Sequence, residues 1–340
     1  IKGPSKMVKK FVLIFIIVFL FLLVLISSVA WLTKHTLKDG KYSDSIPAKT
    51  LLFLAKVPST SKQVFGCHIL DHQNDCKGLG GKEFLLNEDS DLGFTYFNNN
   101  EFLSGYLLIS RYFVDEKQSK VQLIRIKSGE VIHEWSPDIE SIHAISKIDR
   151  KLAPLEKDKG KERYLYFHPF VTTTGNLIFK TYSPLVKINS CSELVWQIDE
   201  LFHHSTEADQ ENNIWVPTLK KPGRYINIDN NYHDDEITKV SIKDGKIIYQ
   251  KSVTEILEEN DLLHLVTSTF VGTDPIHLND IEPVLEDSKY WKKGDVFLSL
   301  RGISTLMLFR PSDNKLIWYK QGKWRHQHDI DIINENTIGI

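Results

Sequence analysis

Three short clusters hold side chains that can act together on one substrate: His277-Leu278-Asn279, Ser299-Leu300-Arg301 and Gln327-His328-Asp329. A neutral imidazole is a nucleophile or general base near neutral pH. A guanidinium is a rigid fork of donors that keeps its charge and suits a tetrahedral oxyanion. Several histidines, an amide and an arginine turned into one cavity make a site for an anion such as sulfate or phosphate. Strand alternation predicts His277 and Asn279 on one face, and Ser299 and Arg301 on one face of the following strand. Asp329 then points away from His328 and is not expected to orient it.

These clusters lie in a recurring unit. A histidine opens it at His168 (HPFVTTTGNLIFK), His204 (HSTEADQENNIWV), His277 (HLNDIEPV, later KKGDVFLSLRG) and His328 (HDIDIINENTIGI). Each time a short polar stretch leads to a Gly or Asn turn and then to an alternating apolar run. Hairpins close the units at LVKINSCSELVWQID, ITKVSIKDGKIIYQ and LMLFRPSDNKLIWYK, and an earlier copy stands at residues 121–135. In the turns KSGE, KDGK and SDNK, Gly or Asn supplies the positive φ a tight turn needs. Several short strands repeated every few tens of residues predict an all-β fold of the β-propeller type. Equivalent blade positions ring one axis, so the four histidines are expected to face a common channel. Trp135, Trp196 and Trp318, near the hairpin ends, are expected to pack between blades.

The chain has 340 residues and a net charge of −2, with lysines spread out, so nucleic acid is not an expected partner. Phe11–Leu32 is a run of 22 uncharged residues preceded by Lys2, Lys6, Lys9 and Lys10. As a helix it would be roughly 33 Å long, enough for a bilayer core, with its short end cytoplasmic. The expectation is an inner-membrane signal-anchor with the remaining chain in the periplasm or outside the cell; a signal peptide cleaved at Ser28-Val29-Ala30 is the alternative. Cys67 and Cys76 fit a disulfide of an oxidising compartment. His68, His72 and Asp75 lie between them, but the spacing matches no common zinc pattern. Cys191 reads as a buried thiol.

The domain reading is a cytoplasmic stub and anchor at 1–32, a connecting region or incomplete first blade at 33–100, and a propeller domain at 101–340. Val253–Thr267 has apolar residues at helical spacing and reads as a surface insertion, with a lid over the channel as the alternative. The end at TIGI falls inside a strand, so further blades are expected beyond it.

In order, H-x-N, then S-x-R ahead of an apolar hairpin, then Q-H-D resembles the bacterial arylsulfotransferase family, over roughly residues 100–340 and best from Trp196 onward. The resemblance implies a six-bladed propeller with its active site in the central channel. It implies transfer of a sulfuryl group from an aryl sulfate to a phenolic acceptor, by ping-pong through a sulfated histidine and without a nucleotide donor. Carried across by motif, His328 is the nucleophile, while His277, Asn279 and Arg301 hold the sulfuryl oxygens. His204 completes the site as acid or base toward the phenol, although the tandem His203-His204 leaves the choice between them open. No cofactor is implied. Glu207, Asp209 and Asp280 offer oxygen ligands, but their spacing has no known metal specificity, and no metal is expected. The rival functions are a noncatalytic propeller that binds partners outside the cytoplasm and an aryl sulfate hydrolase. Oligomeric state is open.

Overall fold

The computed structural model describes residues 15, 17–25, 27–29, 31, 104–148, 160–162, 164–221, 223, 232–268 and 273–340. The chain divides into two compact units, Ile1–Glu101 and Phe102–Ile340. In the first, the described residues are helical and exposed, with Phe15 71% accessible. Among the described residues no helix is long and apolar enough to cross a membrane. The connecting region 33–100, with the Cys67–Cys76 pairing, lies outside the described residues.

The second unit is a series of antiparallel meanders. β1 (Tyr106–Phe113), β2 (Gln118–Arg125) and β3 (Val131–Trp135) make the first sheet. The second holds β4 (Phe167–Val171), β5 (Leu177–Lys180), β6 (Leu185–Ile188) and β7 (Leu194–Ile198). The third holds β8 (Glu207–Ala208), β9 (Asn213–Lys220), β10 (Asp234–Ser241) and β11 (Ile247–Ser252). The fourth holds β12 (Leu278–Pro283), β13 (Val296–Leu300), β14 (Thr305–Arg310) and β15 (Lys315–Gln321), and a final pair is β16 (Asp331–Asn334) with β17 (Thr337–Gly339).

The repeat predicted from sequence is repeated in backbone detail. Each closing hairpin shifts register at the same point, at Leu123/Ile124, Lys187/Ile188, Lys239/Val240 and Leu308/Phe309. Each then turns through one left-handed residue: Gly129, Ser192, Gly245 and Asn314. Three of the four are the Gly or Asn such a conformation favours. Ser192 departs from that rule beside Cys191, which is exposed at this turn tip and not buried as expected.

Each neighbouring pair of sheets shares an apolar core. Val121 and Trp135 meet Leu177 and Phe179; Ile178 and Leu185 meet Ile214 and Val240; Trp215 and Ile237 meet Leu278, Leu298 and Phe309. The middle strands are therefore covered on both faces, which is why LIFK and VFLSL are buried throughout instead of alternating. Burying one such Leu or Phe side chain stabilises the fold by about 1.5–3 kcal/mol. This is the stacking of propeller blades, and β12 lies against β8 and β9 of the blade before it. Trp135 is buried in this packing, whereas Trp318 is 40% exposed.

Besides α1 (Ile139–Ile145) there are α2 (Val253–Glu259) and α3 (His264–Thr267). These last two replace the single surface helix expected over Val253–Thr267, with the left-handed Asp261 between them. Val253, Ile256, Leu257, Leu265 and Val266 join the core between the third and fourth sheets. The apolar stripe is a packing surface, so the segment is neither a superficial insertion nor a lid.

Candidate active site

Three of the four repeat-opening histidines share an unusual backbone. His168, His204 and His277 have φ of 41°, 47° and 52°, a left-handed conformation uncommon outside glycine. Such a residue costs about 1–3 kcal/mol unless its surroundings hold it. His277 immediately precedes β12, and His204 stands three residues before β8; His168 lies in β4, where the register shifts between Phe167 and Phe170. His328 stands in the loop before β16, and there the left-handed residue is His326. The left-handed His277 and a register shift between Leu278 and Asp280 break the expected His277/Asn279 alternation. Arg301 likewise lies in the turn after β13, not on the strand with Ser299.

Three imidazoles spread over 124 residues of sequence, from His204 to His328, nevertheless meet. The His204 ring centroid is 4.9 Å from that of His277 and 6.0 Å from that of His328. Hydrogen bonds between loops hold them there. Ser205 N–H donates to Asn279 O (3.3 Å), and Ile281 N–H donates to Ser205 Oγ (3.3 Å). Asn279 Nδ2 donates to Gln327 O (2.8 Å), and Ile330 N–H donates to Asp280 Oδ2 (3.1 Å). Arg301 is tied in by its own N–H to His277 O (3.1 Å), and Gly302 N–H reaches Ile276 O (2.8 Å). A Cβ at Gly302 would lie 2.1 Å from Pro275 O, so only glycine allows that approach.

Each histidine has a distinct partner. Asp274 Oδ2 accepts from His277 Nδ1 at 2.5 Å. Burial alone would raise Asp274, but the His277 hydrogen bond and the charges of His277, His233 and His203 together outweigh it and leave the carboxyl below its usual range. A carboxylate accepting at Nδ1 leaves Nε2 of His277 available. His203, 4% exposed, places Nδ1 2.8 Å from His204 Nδ1 and Nε2 3.2 Å from Asp235 Oδ1. Burial pushes His203 and His204 down to about 3, with like charge from neighbouring histidines adding to the drop at His204. Both are neutral imidazoles. Burial, then the nearby Asp274, pushes Asp235 up to about 8. His203, His204, His233, His277, Asp235 and Asp274 line one cleft of about 220 Å³.

Lys180, fully buried at the end of β5, supports the loop behind His204. Its Nζ donates to His204 O (2.6 Å), Ser205 O (3.0 Å) and Thr206 Oγ1 (2.8 Å). Burial lowers its ammonium to about 7, against the pull of Glu207. Beyond it Glu207, Asp280 and Glu282 are raised to about 8, 7 and 7 by burial first and then by neighbouring carboxylates, Asp280 on both glutamates and Asp329 on all three. Asp209, proposed with Glu207 and Asp280 as an oxygen donor, is bonded to Lys239 at 2.8 Å and to the Asn213 backbone. Among the described residues no cluster of His, Cys, Asp or Glu is arranged to hold a metal ion.

The structure thus gathers His203, His204, His277 and His328, with Arg301 bonded through its backbone to His277. Asn279 is buried and spends its amide N–H on the His328 loop. His168 stands apart from the ring contacts, sensing Lys180, Asp329 and His328 only through their charge. Sequence reading missed Lys180, Asp235 and Asp274 as members of the site. Their one signal was a charge closing or entering an apolar strand, as in NLIFK, which surface lysines and aspartates share.

Residues 175–340 match the family model described as Arylsulfotransferase (ASST), a narrower span than the 100–340 read from the motifs. No curated protein matches the chain. Among solved structures, a protein of unknown function from Bacteroides caccae is 12% identical with TM-score 0.38, covering 64% of this chain and 58% of its own. The Pan2 WD40 domain of Neurospora crassa is 8% identical with TM-score 0.35, covering 64% and 46%. The Cps50 (Swd1) β-propeller domain of Myceliophteria thermophila is 7% identical with TM-score 0.36, covering 69% and 61%. The chain spans less than two thirds of the length of each.

Proposed function

We propose that this chain carries the site of a nucleotide-independent sulfotransferase, moving a sulfuryl group from an aryl sulfate to a phenol. The observation that carries the reading is the meeting of His204, His277 and His328 beside Arg301, within the span that matches the arylsulfotransferase family. His328, accessible to substrate, attacks sulfur while the aryl–O–S bond breaks. The electron pair leaves on the aryl oxygen, which takes a proton from His204. A phenol then gives its proton to His204, its oxygen attacks the sulfohistidine, and the N–S pair returns to His328. His277, its ring set by Asp274, and Arg301 hold the sulfuryl oxygens as charge shifts among them, as in phosphoryl transfer. Asn279 serves this site by holding the loop that bears His328. Two steps at one nucleophile let donor and acceptor use one pocket in turn.

We further propose that the protein is anchored in the inner membrane through residues 11–32, with its propeller outside the cytoplasm. The support is the uncharged run and the lysines that precede it.

Incubation with a chromogenic aryl sulfate, with and without a phenol, tests the transfer. Chromophore release that depends on the phenol, and a sulfated His328 trapped when the phenol is left out, are expected. Release without any acceptor would identify a hydrolase. No release from folded protein would identify a binding propeller and sink the proposal.

A further inference from the structure

Behind His204 lies a line of three ionisable groups that the transfer step leaves unexplained. Asp235 Oδ1 is 3.2 Å from His203 Nε2, and His203 Nδ1 is 2.8 Å from His204 Nδ1. Asp235 is 1% exposed and His203 4%, so bulk water does not set their protonation. Two imidazoles joined Nδ1 to Nδ1 share a single hydrogen, and whichever ring holds it fixes the tautomer of both.

We propose that Asp235, His203 and His204 form a buried proton relay that stores, on Asp235, the proton exchanged with the aryl oxygen at Nε2 of His204. This rests on the sulfuryl-transfer reading for its substrate, and it adds Asp235 and His203 as positioning residues for the acid–base step.

The protons balance between two states. In the empty relay Asp235 is a carboxylate, His203 carries hydrogen on Nε2, His204 carries hydrogen on Nδ1, and Nε2 of His204 is a bare base. A phenol O–H gives its proton to that nitrogen. The Nδ1 hydrogen of His204 passes to Nδ1 of His203, and the Nε2 hydrogen of His203 passes to Asp235. The loaded relay is then neutral throughout, with Nε2–H of His204 ready to protonate a departing aryl oxide. No imidazolium persists, which suits rings whose burial holds them neutral. A carboxyl that burial raises is suited to keeping the proton.

Charges from several elements bear on the relay. Asp274, Lys180, His277 and the Thr218 backbone face His203. Asp274, His277, His233 and the Leu278 backbone face Asp235, while His277, His328 and Lys180 face His204. Among them, Asp274 is committed to His277 and Lys180 to the loop oxygens. Along the line the His203–His204 pair is hydrogen-bonded. Asp235 Oδ1 and His203 Nε2 stand 3.2 Å apart without the alignment of a hydrogen bond, and the Thr218 backbone also faces His203. The relay closes when the Asp235 and His203 side chains turn into line.

Nitrogen-15 NMR of histidine-labelled full-length protein reads the tautomers without substrate. In the wild type, raising pH through the alkaline side is expected to move the shared hydrogen from His203 Nδ1 to His204 Nδ1. In Asp235→Asn, and in His203→Gln read at His204, the tautomer should stay fixed across the same range. Absence of the switch in wild type, or its survival in Asp235→Asn, overturns the relay. In turnover, Asp235→Asn should slow transfer to weakly acidic phenols by about 100-fold, the scale of general acid–base catalysis, and transfer to strongly acidic ones far less. A uniform loss for all phenols would assign Asp235 a structural role and also overturn it. A wild type without transferase activity would sink the transfer reading alone, leaving the relay to the tautomer switch.

Discussion

The second blade and the two that follow start from the same backbone and end in different chemistry. His168, His204 and His277 occupy the same left-handed position. After His204 comes Ser205, whose N–H and Oγ both bond to the β12 segment that follows His277. After His168 comes Pro169, which has no N–H to offer the next blade. The loop of His204 is also held by Lys180, reaching from the second blade into the third. The repeat therefore fixes where a histidine sits, and the residue after it decides whether neighbouring blades lock it into a site.

The comparison breaks at once if His328→Ala retains activity; removing the nucleophile should cut turnover by on the order of 10⁴-fold or more in the aryl sulfate assay. Arg301→Ala should lower kcat/KM by roughly 10²–10³-fold, as expected for a lost charge stabiliser. Lys180→Met sharpens the contrast between blades, because it strips three oxygens of their donor. Urea unfolding should show a loss of about 3 kcal/mol.

Asp235→Asn tests the buried carboxyl through stability. The folded carboxyl is raised from an ordinary 3.8 to about 8, so the native state holds a proton that the unfolded chain releases. That contribution is full below about pH 4 and is lost as pH rises through about 8. Relative to Asp235→Asn, the wild type should lose stability between about pH 4 and pH 8, seen as diverging urea midpoints. Equal midpoints throughout that range would contradict the burial argument. The smallest effect belongs to His168→Ala: with no ring contact to the cluster, it should change turnover by less than about tenfold, below the roughly 10²–10⁴-fold of a group that takes part in acid–base catalysis. A loss as large as that of His277→Ala would erase the distinction between the blades.

The hairpins were legible because their turns obey local rules: Gly129, Gly245 and Asn314 stand where positive φ is required. Val253–Thr267 was legible as helical but not as core, since an apolar stripe does not say which neighbour covers it. Arg301 was legible as a charge near His277 but not as a turn residue. The left-handed histidines had no advance signal, because propensity gives histidine only a mild tolerance of that conformation.

By itself the sequence determined the blade repeat, its turns and the order of the histidine, arginine and amide clusters, since periodicity and turn chemistry act over a few residues. Only the tertiary structure decided that His203 would sit between His204 and Asp235, and that Asn279 would hold the loop of His328. Those pairings join positions far apart in the chain, and which buried charge meets which imidazole is settled by how the blades stack.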